Sequence, residues 1–418
     1  MINAYKIANF AKKITEMKIG IIREGKKPVD KRVALTPTQA SSLMQRFPGV
    51  EIYAQPSPSR CFADEEYVKN GISLQEDLSE CEILLGVKEV PIDELIPNKT
   101  YFFFSHTIKK QPYNRPLLRA ILEKNIRLID YETLTDEKKN RVIAFGRYAG
   151  IVGAYNGIRG YGIRHNLFEL KPVHTCFDRD EMNKELQKAK LPNIKIAITG
   201  GGRVANGAIE TLVAAQIRQV SPEDLINKTF DEPVFAQLNS KHYHKHKDGR
   251  EFISAEFYSQ PENFEADFLK YASEIEMLIA CAFWHQKAPV LFNLTDIKHK
   301  DFKINLIADI TCDIDGSIPT TKRASTVAAP FYDFDKNAMI LTEPFSSQNH
   351  ITVMAVDNLP SELPRNASMD FGQIMLDLVL TSLLEGDKTQ LIARAAITEN
   401  GHLTKNFDYL HDYVYAQI

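Results

Sequence analysis

No stretch of the 418-residue sequence approaches the roughly 20 consecutive apolar residues that a membrane helix requires, so a membrane partner is not expected. Cysteine is scarce. Cys61, Cys81, Cys176, Cys281 and Cys312 are odd in number, widely spread and without C-x-x-C or His-paired metal spacing. That argues against a disulfide framework and fits reduced thiols in a cytoplasmic protein. Net charge is also small, -3 at pH 7. Without a global basic field, nucleic acid is not an expected partner either.

What is present is ordinary globular material, 44% apolar over a length that outgrows one core, so two domains are expected. The leader, MINAYKIANFAKKITEMK, is basic but lacks the apolar core of a secretory signal and contains Glu16. It is read as an N-terminal extension over 1–17 that forms a short surface helix, with a transit peptide as the alternative.

From there, strand and helix signals alternate. KIGIIRE, VEIYAQP, CEILLGVKEVP, TYFFFSHT and IRLIDYE are short runs rich in β-branched or aromatic residues, separated by helical stretches such as NRPLLRAILEKN. Thr36 and Pro37 mark a helix start. A second series opens with IKIAITGGGRVANGAIETL and continues through PVFAQL, MLIACAF and INLIADITCD. Such alternation predicts an α/β fold with two doubly wound Rossmann-like domains and a cleft between them. A glycine-rich stretch, FGRYAGIVGAYNGIRGYGIRHNLF, predicts a closely packing helix at the boundary.

The spacing Gly200, Gly202, Ala205 matches G-x-G-x-x-A directly after an apolar strand. Gly200 would permit the tight turn, Gly202 would let a pyrophosphate approach, and Ala205 would let helix and strand pack. With Arg203 and Val204, these residues form the expected cofactor-binding turn. The acidic residue that normally ends the next strand of an NAD site is missing. That strand instead runs into NSKHYHKHKDGR, where Lys241, His242, His244, Lys245, His246, Lys247 and Arg250 crowd together. A solvated loop and a weakly supported zinc site are the competing readings, and no metal is expected. Cations in place of the carboxylate favour NADP(H), with its 2′-phosphate, over NAD(H).

In the first series, charged residues recur where strands should end: Arg32, Lys88, His106 with Lys109, Glu132 and Arg141. Singly, each is ordinarily a solvated or structural residue. Their repeated position after apolar strands points to a site.

KRVALTP, LLGVKEVP, KTYFFFSHTIKKQ, IRLIDYE, RVIAFGRYAG, ITGGGRVANGA, DGSIPTT and VDNLPSELP together resemble the lysine-2-oxoglutarate reductase half of aminoadipate semialdehyde synthases. They are similar, more distantly, to lysine-forming saccharopine dehydrogenase and alanine dehydrogenase. The resemblance implies reversible condensation of lysine with 2-oxoglutarate to saccharopine, reduced by a nicotinamide cofactor. It places Lys88 and His106 at the acid-base pair, Glu89 and Glu132 as residues that tune it, and Asp357 at the nicotinamide side of the cleft. Arg32, Lys109 and Arg141 would hold the carboxylates of the substrate. It also implies a substrate domain of 18–148 plus 356–418 around a dinucleotide-binding domain of 149–355. An alanine-dehydrogenase-like enzyme and a non-catalytic nucleotide-binding relative are the alternatives. A homo-oligomer is left open.

Overall fold

The computed structural model describes residues 17–415; the helix expected over the leader lies outside the described residues. The chain divides into two compact units, one running to Ala144 and resuming at Pro364, the other spanning Phe145–Leu363. Against the expected dinucleotide-binding domain of 149–355, the second unit starts four residues earlier and ends eight residues later.

The first unit is built on an eight-stranded sheet. Its strands are β1 (Met17–Ile21), β2 (Val50–Ala54), β3 (Ser73–Leu74), β4 (Ile83–Leu85), β5 (Thr100–Phe103) and β6 (Arg127–Asp130), with β17 (Ala396–Glu399) and β18 (His402–Leu403) from the returning chain. The order is β18-β17-β6-β5-β4-β1-β2-β3, parallel from β6 through β3 and antiparallel at β17 and β18. Central strands of a parallel sheet are covered on both faces, which is why Ile83–Leu85 and Tyr101–Phe103 are buried without alternation. Ile397, Leu410 and Val414 pack in one apolar cluster with Leu84, Tyr101 and Leu118, so the end of the chain shares the core of its beginning.

The Pro37–Arg46 helix starts as its sequence predicts, with Thr36 and Gln39 forming a reciprocal capping box and Pro37 in the first turn. The last long helix begins at Pro364, which occupies its first turn, where no backbone donor is needed. From Pro364 to Leu384 it is long and apolar enough to cross a membrane by composition alone, yet half of that span is buried inside the protein.

The second unit carries β7 (Lys195–Thr199), β8 (Arg218–Gln219), β9 (Val234–Leu238), β10 (His244–His246), β11 (Phe264–Ala266), β12 (Met277–Ala280), β13 (Leu306–Asp309), β14 (Phe331–Asp335), β15 (Ile340–Thr342) and β16 (Ile351–Met354). Its large sheet has the order β15-β14-β16-β13-β12-β7-β9-β8, parallel except at β14 and β15. β10 and β11 form a separate antiparallel pair. The glycine-rich stretch is the Gly146–Arg164 helix, packed on Arg203–Ala214. A Cβ on Gly150 would stand 1.8 Å from the Val204 carbonyl oxygen, so the close approach requires glycine there.

Candidate active site

In the first unit, adjacent parallel strands deliver their carboxyl ends to one edge of the sheet, and ionisable side chains gather there. Beyond β5 the chain does not continue straight. Asp130, at the end of β6, is fully buried and accepts from the backbone N–H of Ser105 at 2.8 Å and of His106 at 3.2 Å. His106 takes a left-handed conformation, φ 55°, and a short turn over Thr107–Lys109 follows. Asp130 thus bends the aromatic strand so that its polar end leaves the core. Burial pushes the Asp130 carboxyl up in pKa, against the bonds it accepts.

His106 Nδ1 lies 2.8 Å from Glu89 Oε1, and the Lys26 ammonium donates to Glu89 Oε2 at 2.6 Å. Burial opposes ionisation of Glu89, but these two partners outweigh it and hold the carboxyl at about 2. Glu89 is therefore a carboxylate. Lys88, partly buried beside it, is lowered in pKa first by desolvation and then by the Arg32 charge. Its backbone is held by Glu24, whose carboxyl accepts from Val87 N–H at 2.7 Å and Lys88 N–H at 2.8 Å. Burial nonetheless pushes Glu24 up to about 8.

Arg32 is 3% exposed and forms a bidentate pair with Asp30, at 2.9 and 2.6 Å. Lys109 and Arg141 both face Glu132 Oε1, at 3.5 and 3.6 Å. Arg141 also lies over the Phe104 ring, which stacks on His106. Seven residues expected at the site, Arg32, Lys88, Glu89, His106, Lys109, Glu132 and Arg141, thus lie in one unit around these strand ends. Sequence reasoning missed Glu24, Lys26, Asp30 and Asp130. Glu24 and Asp130 carry the same signal that exposed Lys88, an ionisable residue where an apolar strand ends. Asp357 follows β16 in the second unit, exposed to solvent, where its charge raises the Cys312 thiol pKa after burial has done so.

The second unit presents the glycine turn between β7 and the Arg203–Ala214 helix. Gly200 has φ 99°, which supports the turn, and a Cβ on Gly202 would meet no protein atom within 4 Å. The space beside Gly202 is therefore open to a ligand. Ala205 is buried against the sheet while Arg203 is exposed. The turn opens on a cavity of ≈ 650 Å³, whose wall includes Gly200–Val204, Asn239, Ser240 and Lys241. No Asp or Glu appears among its described lining residues. These features fit a dinucleotide, with the pyrophosphate at the helix amino terminus.

The stretch after β9 is not a loop of free cations. Ser240–Tyr243 forms a helical turn, and β10 buries His244 and His246 while Lys245 points outward to Glu265 at 3.3 Å. Lys247 donates to the Glu262 carbonyl, and Arg250 pairs with Glu256. Lys241 alone of these cations lines the cavity.

Residues 20–152 match the family model described as alanine dehydrogenase/PNT, N-terminal domain. An L-alanine dehydrogenase structure covers 95% of this chain and 100% of its own, at TM-score 0.63 and 17% identity, a likeness of fold. Residues 20–152 thus resemble the N-terminal domain of that family, and the fold of the chain is that of alanine dehydrogenase. The mitochondrial alpha-aminoadipic semialdehyde synthase of Rattus norvegicus is 31% identical over 93% of this chain and 47% of its own length. Saccharopine dehydrogenase (NAD(+), L-lysine-forming) of Yarrowia lipolytica is 26% identical over 92% of this chain and 97% of its own. The chain thus resembles both the lysine-forming saccharopine dehydrogenases and the matching part of the aminoadipic semialdehyde synthases. It spans less than half the length of the rat and Arabidopsis thaliana synthases that it matches.

Proposed function

We propose that the chain joins L-lysine and 2-oxoglutarate reversibly to saccharopine, using a nicotinamide dinucleotide. The observation that carries this reading is the gathering of Lys88 and His106 with Arg32, Lys109 and Arg141 at the strand ends of the first unit. Condensing an amine with a keto acid releases water and leaves an imine. One member of the Lys88–His106 pair takes the proton that the amine gives up, and the other returns a proton to the departing hydroxyl. Lowering of the Lys88 pKa by desolvation suits such an exchange. Arg32, held in orientation by Asp30, offers a planar fork to a substrate carboxylate, while Lys109 and Arg141 supply positive charge for the others. A bound nicotinamide supplies or accepts the hydride at the imine carbon.

We read the cofactor as NADP(H) in preference to NAD(H). Support comes from the carboxylate-free wall beyond β9, with Lys241 and Arg203 lining the same cavity. The test is the absorbance of reduced nicotinamide in the presence of lysine and 2-oxoglutarate, run separately with NADPH and NADH. Oxidation that requires both substrates and runs faster with NADPH is expected. Oxidation with ammonia and a small keto acid, but none with lysine, would overturn the substrate reading.

A further inference from the structure

Ser105 and Thr107, on either side of His106, form one buried assembly with the carboxyl of Asp130. Besides the backbone N–H groups of Ser105 and His106, Asp130 Oδ2 accepts from the Ser105 hydroxyl at 2.5 Å. With its own proton donated there, Ser105 Oγ accepts from the Thr107 hydroxyl at 2.8 Å and from the Thr107 N–H at 3.3 Å. The second carboxyl oxygen, Oδ1, accepts from the Glu132 N–H at 2.7 Å. Ser105, Thr107 and Asp130 are all fully buried. Four donors converge on a group whose two oxygens can take about four.

Each of these bonds falls on a residue that carries or flanks a group of the proposed site. His106 keeps a left-handed backbone, φ 55°, which a residue other than glycine retains only where its surroundings hold it. Of the three residues in the Ser105–Thr107 stretch, His106 alone is partly exposed, and its Nδ1 lies 2.8 Å from Glu89. On the other arm, Glu132 Oε1 faces Lys109 at 3.5 Å and Arg141 at 3.6 Å. A single carboxyl therefore ties the end of β5, with its imidazole, to the end of β6, with its acceptor of two cations.

We propose that Asp130 is a positioning residue for the reaction, its two oxygens holding His106 and Glu132 in the arrangement that proton transfer requires. This rests on the function proposed above. Asp130 acts from outside the reacting groups, being closed off from solvent and engaged with the chain on both oxygens. Asparagine cannot take its place. The amide has nearly the shape of the carboxyl but a single acceptor oxygen, and its NH2 must face either the Glu132 N–H or the donors of Ser105 and His106. Either way donor meets donor, and one of the two arms is released. Movement of an acid-base group by about 1 Å is enough to cost on the order of 10²-fold in rate.

The test is a double-mutant cycle on the full chain, with turnover measured on lysine, 2-oxoglutarate and reduced nicotinamide dinucleotide, all saturating, so that effects on substrate binding through Glu132 are set aside. Asp130→Asn is expected to lower turnover about 10²-fold when His106 is present. In the His106→Gln background, with no imidazole left to misplace, it is expected to lower turnover by no more than about twofold. Ser105→Ala removes one donor and leaves every backbone bond to Asp130, so a loss of about tenfold is expected, again only with His106 present. This milder variant decides the matter should Asp130→Asn fail to fold. Unchanged turnover in both single variants, or a loss of the same factor with and without His106, would overturn the positioning role and leave the reaction standing. Absence of lysine-dependent oxidation in the wild type would overturn the reaction, and the positioning role with it.

Discussion

The two large sheets end in opposite ways. In the first unit the carboxyl ends of the strands are crowded with ionisable side chains locked into pairs, Arg32 with Asp30, Glu89 with His106 and Lys26, and Glu132 with Lys109 and Arg141. In the second unit the corresponding edge is mostly backbone and space: Gly200 turned left-handed, nothing beside Gly202, a helix amino terminus behind them. Proton transfer needs side chains whose ionisation is tuned, whereas holding a phosphate needs N–H groups and room. In the function proposed above, one architecture serves two tasks through what its strand ends carry.

That contrast breaks most visibly at the acid-base pair. Lys88→Met and His106→Gln are each expected to lower turnover by roughly 10²–10⁴-fold at saturating cofactor, with dinucleotide affinity unchanged. Calorimetric binding beside steady-state rates checks both halves. Nearly unchanged turnover in either variant would remove that residue from the mechanism.

How much of this was legible depended on where each residue's partners lie in the chain. Lys88 and His106 stood out because an apolar run stopped abruptly at each. Asp130 ends an apolar run in the same way, but its role was hidden, because it accepts backbone N–H groups of Ser105 and His106 on a neighbouring strand that only the folded sheet brings near. Glu24 was hidden for the same reason, its carboxyl serving Val87 and Lys88 from the far side of sixty residues of chain. The His–Lys–His run shows a different failure. Its alternation is that of a strand, inward at His244 and His246 and outward at Lys245, but the density of charge there suggested a cationic loop around a 2′-phosphate.

A smaller effect is expected from Glu24, and it concerns stability. Its folded pKa of about 8 stands above the usual carboxylate value because burial outweighs the N–H bonds. A carboxyl raised on folding holds its proton more tightly in the native state. Its contribution to stability is therefore complete at low pH, declines once the unfolded group ionises above roughly pH 4.5, and is lost as pH rises through about 8. Glu89, held at about 2, acts in the other sense, stabilising above the ordinary carboxylate range and losing its effect only as pH falls toward 2. Urea unfolding of Glu24→Gln and wild type at about pH 5 and about pH 8 should show wild type losing ground to the variant at the higher value. Parallel behaviour of the two proteins would mean that Glu24 is not held protonated.

The smallest effect sharpens the cofactor side. If the 2′-phosphate of NADPH is met at the end of β9, Lys241, which lines the cavity, should matter, while Lys245, turned outward onto Glu265 and Asp267, should not. A charge-assisted hydrogen bond contributes about 1.5–3 kcal/mol, and an exposed ammonium such as Lys241 belongs at the low end or below it because solvent screens it. Lys241→Ala should therefore raise the Michaelis constant for NADPH by about tenfold at low salt and leave that for NADH nearly unchanged, the gap narrowing as salt is added. Lys245→Ala should change neither constant. Equal responses to the two substitutions would detach cofactor choice from the cavity wall, and NAD(H) would then be the better reading of a strand that ends without its carboxylate.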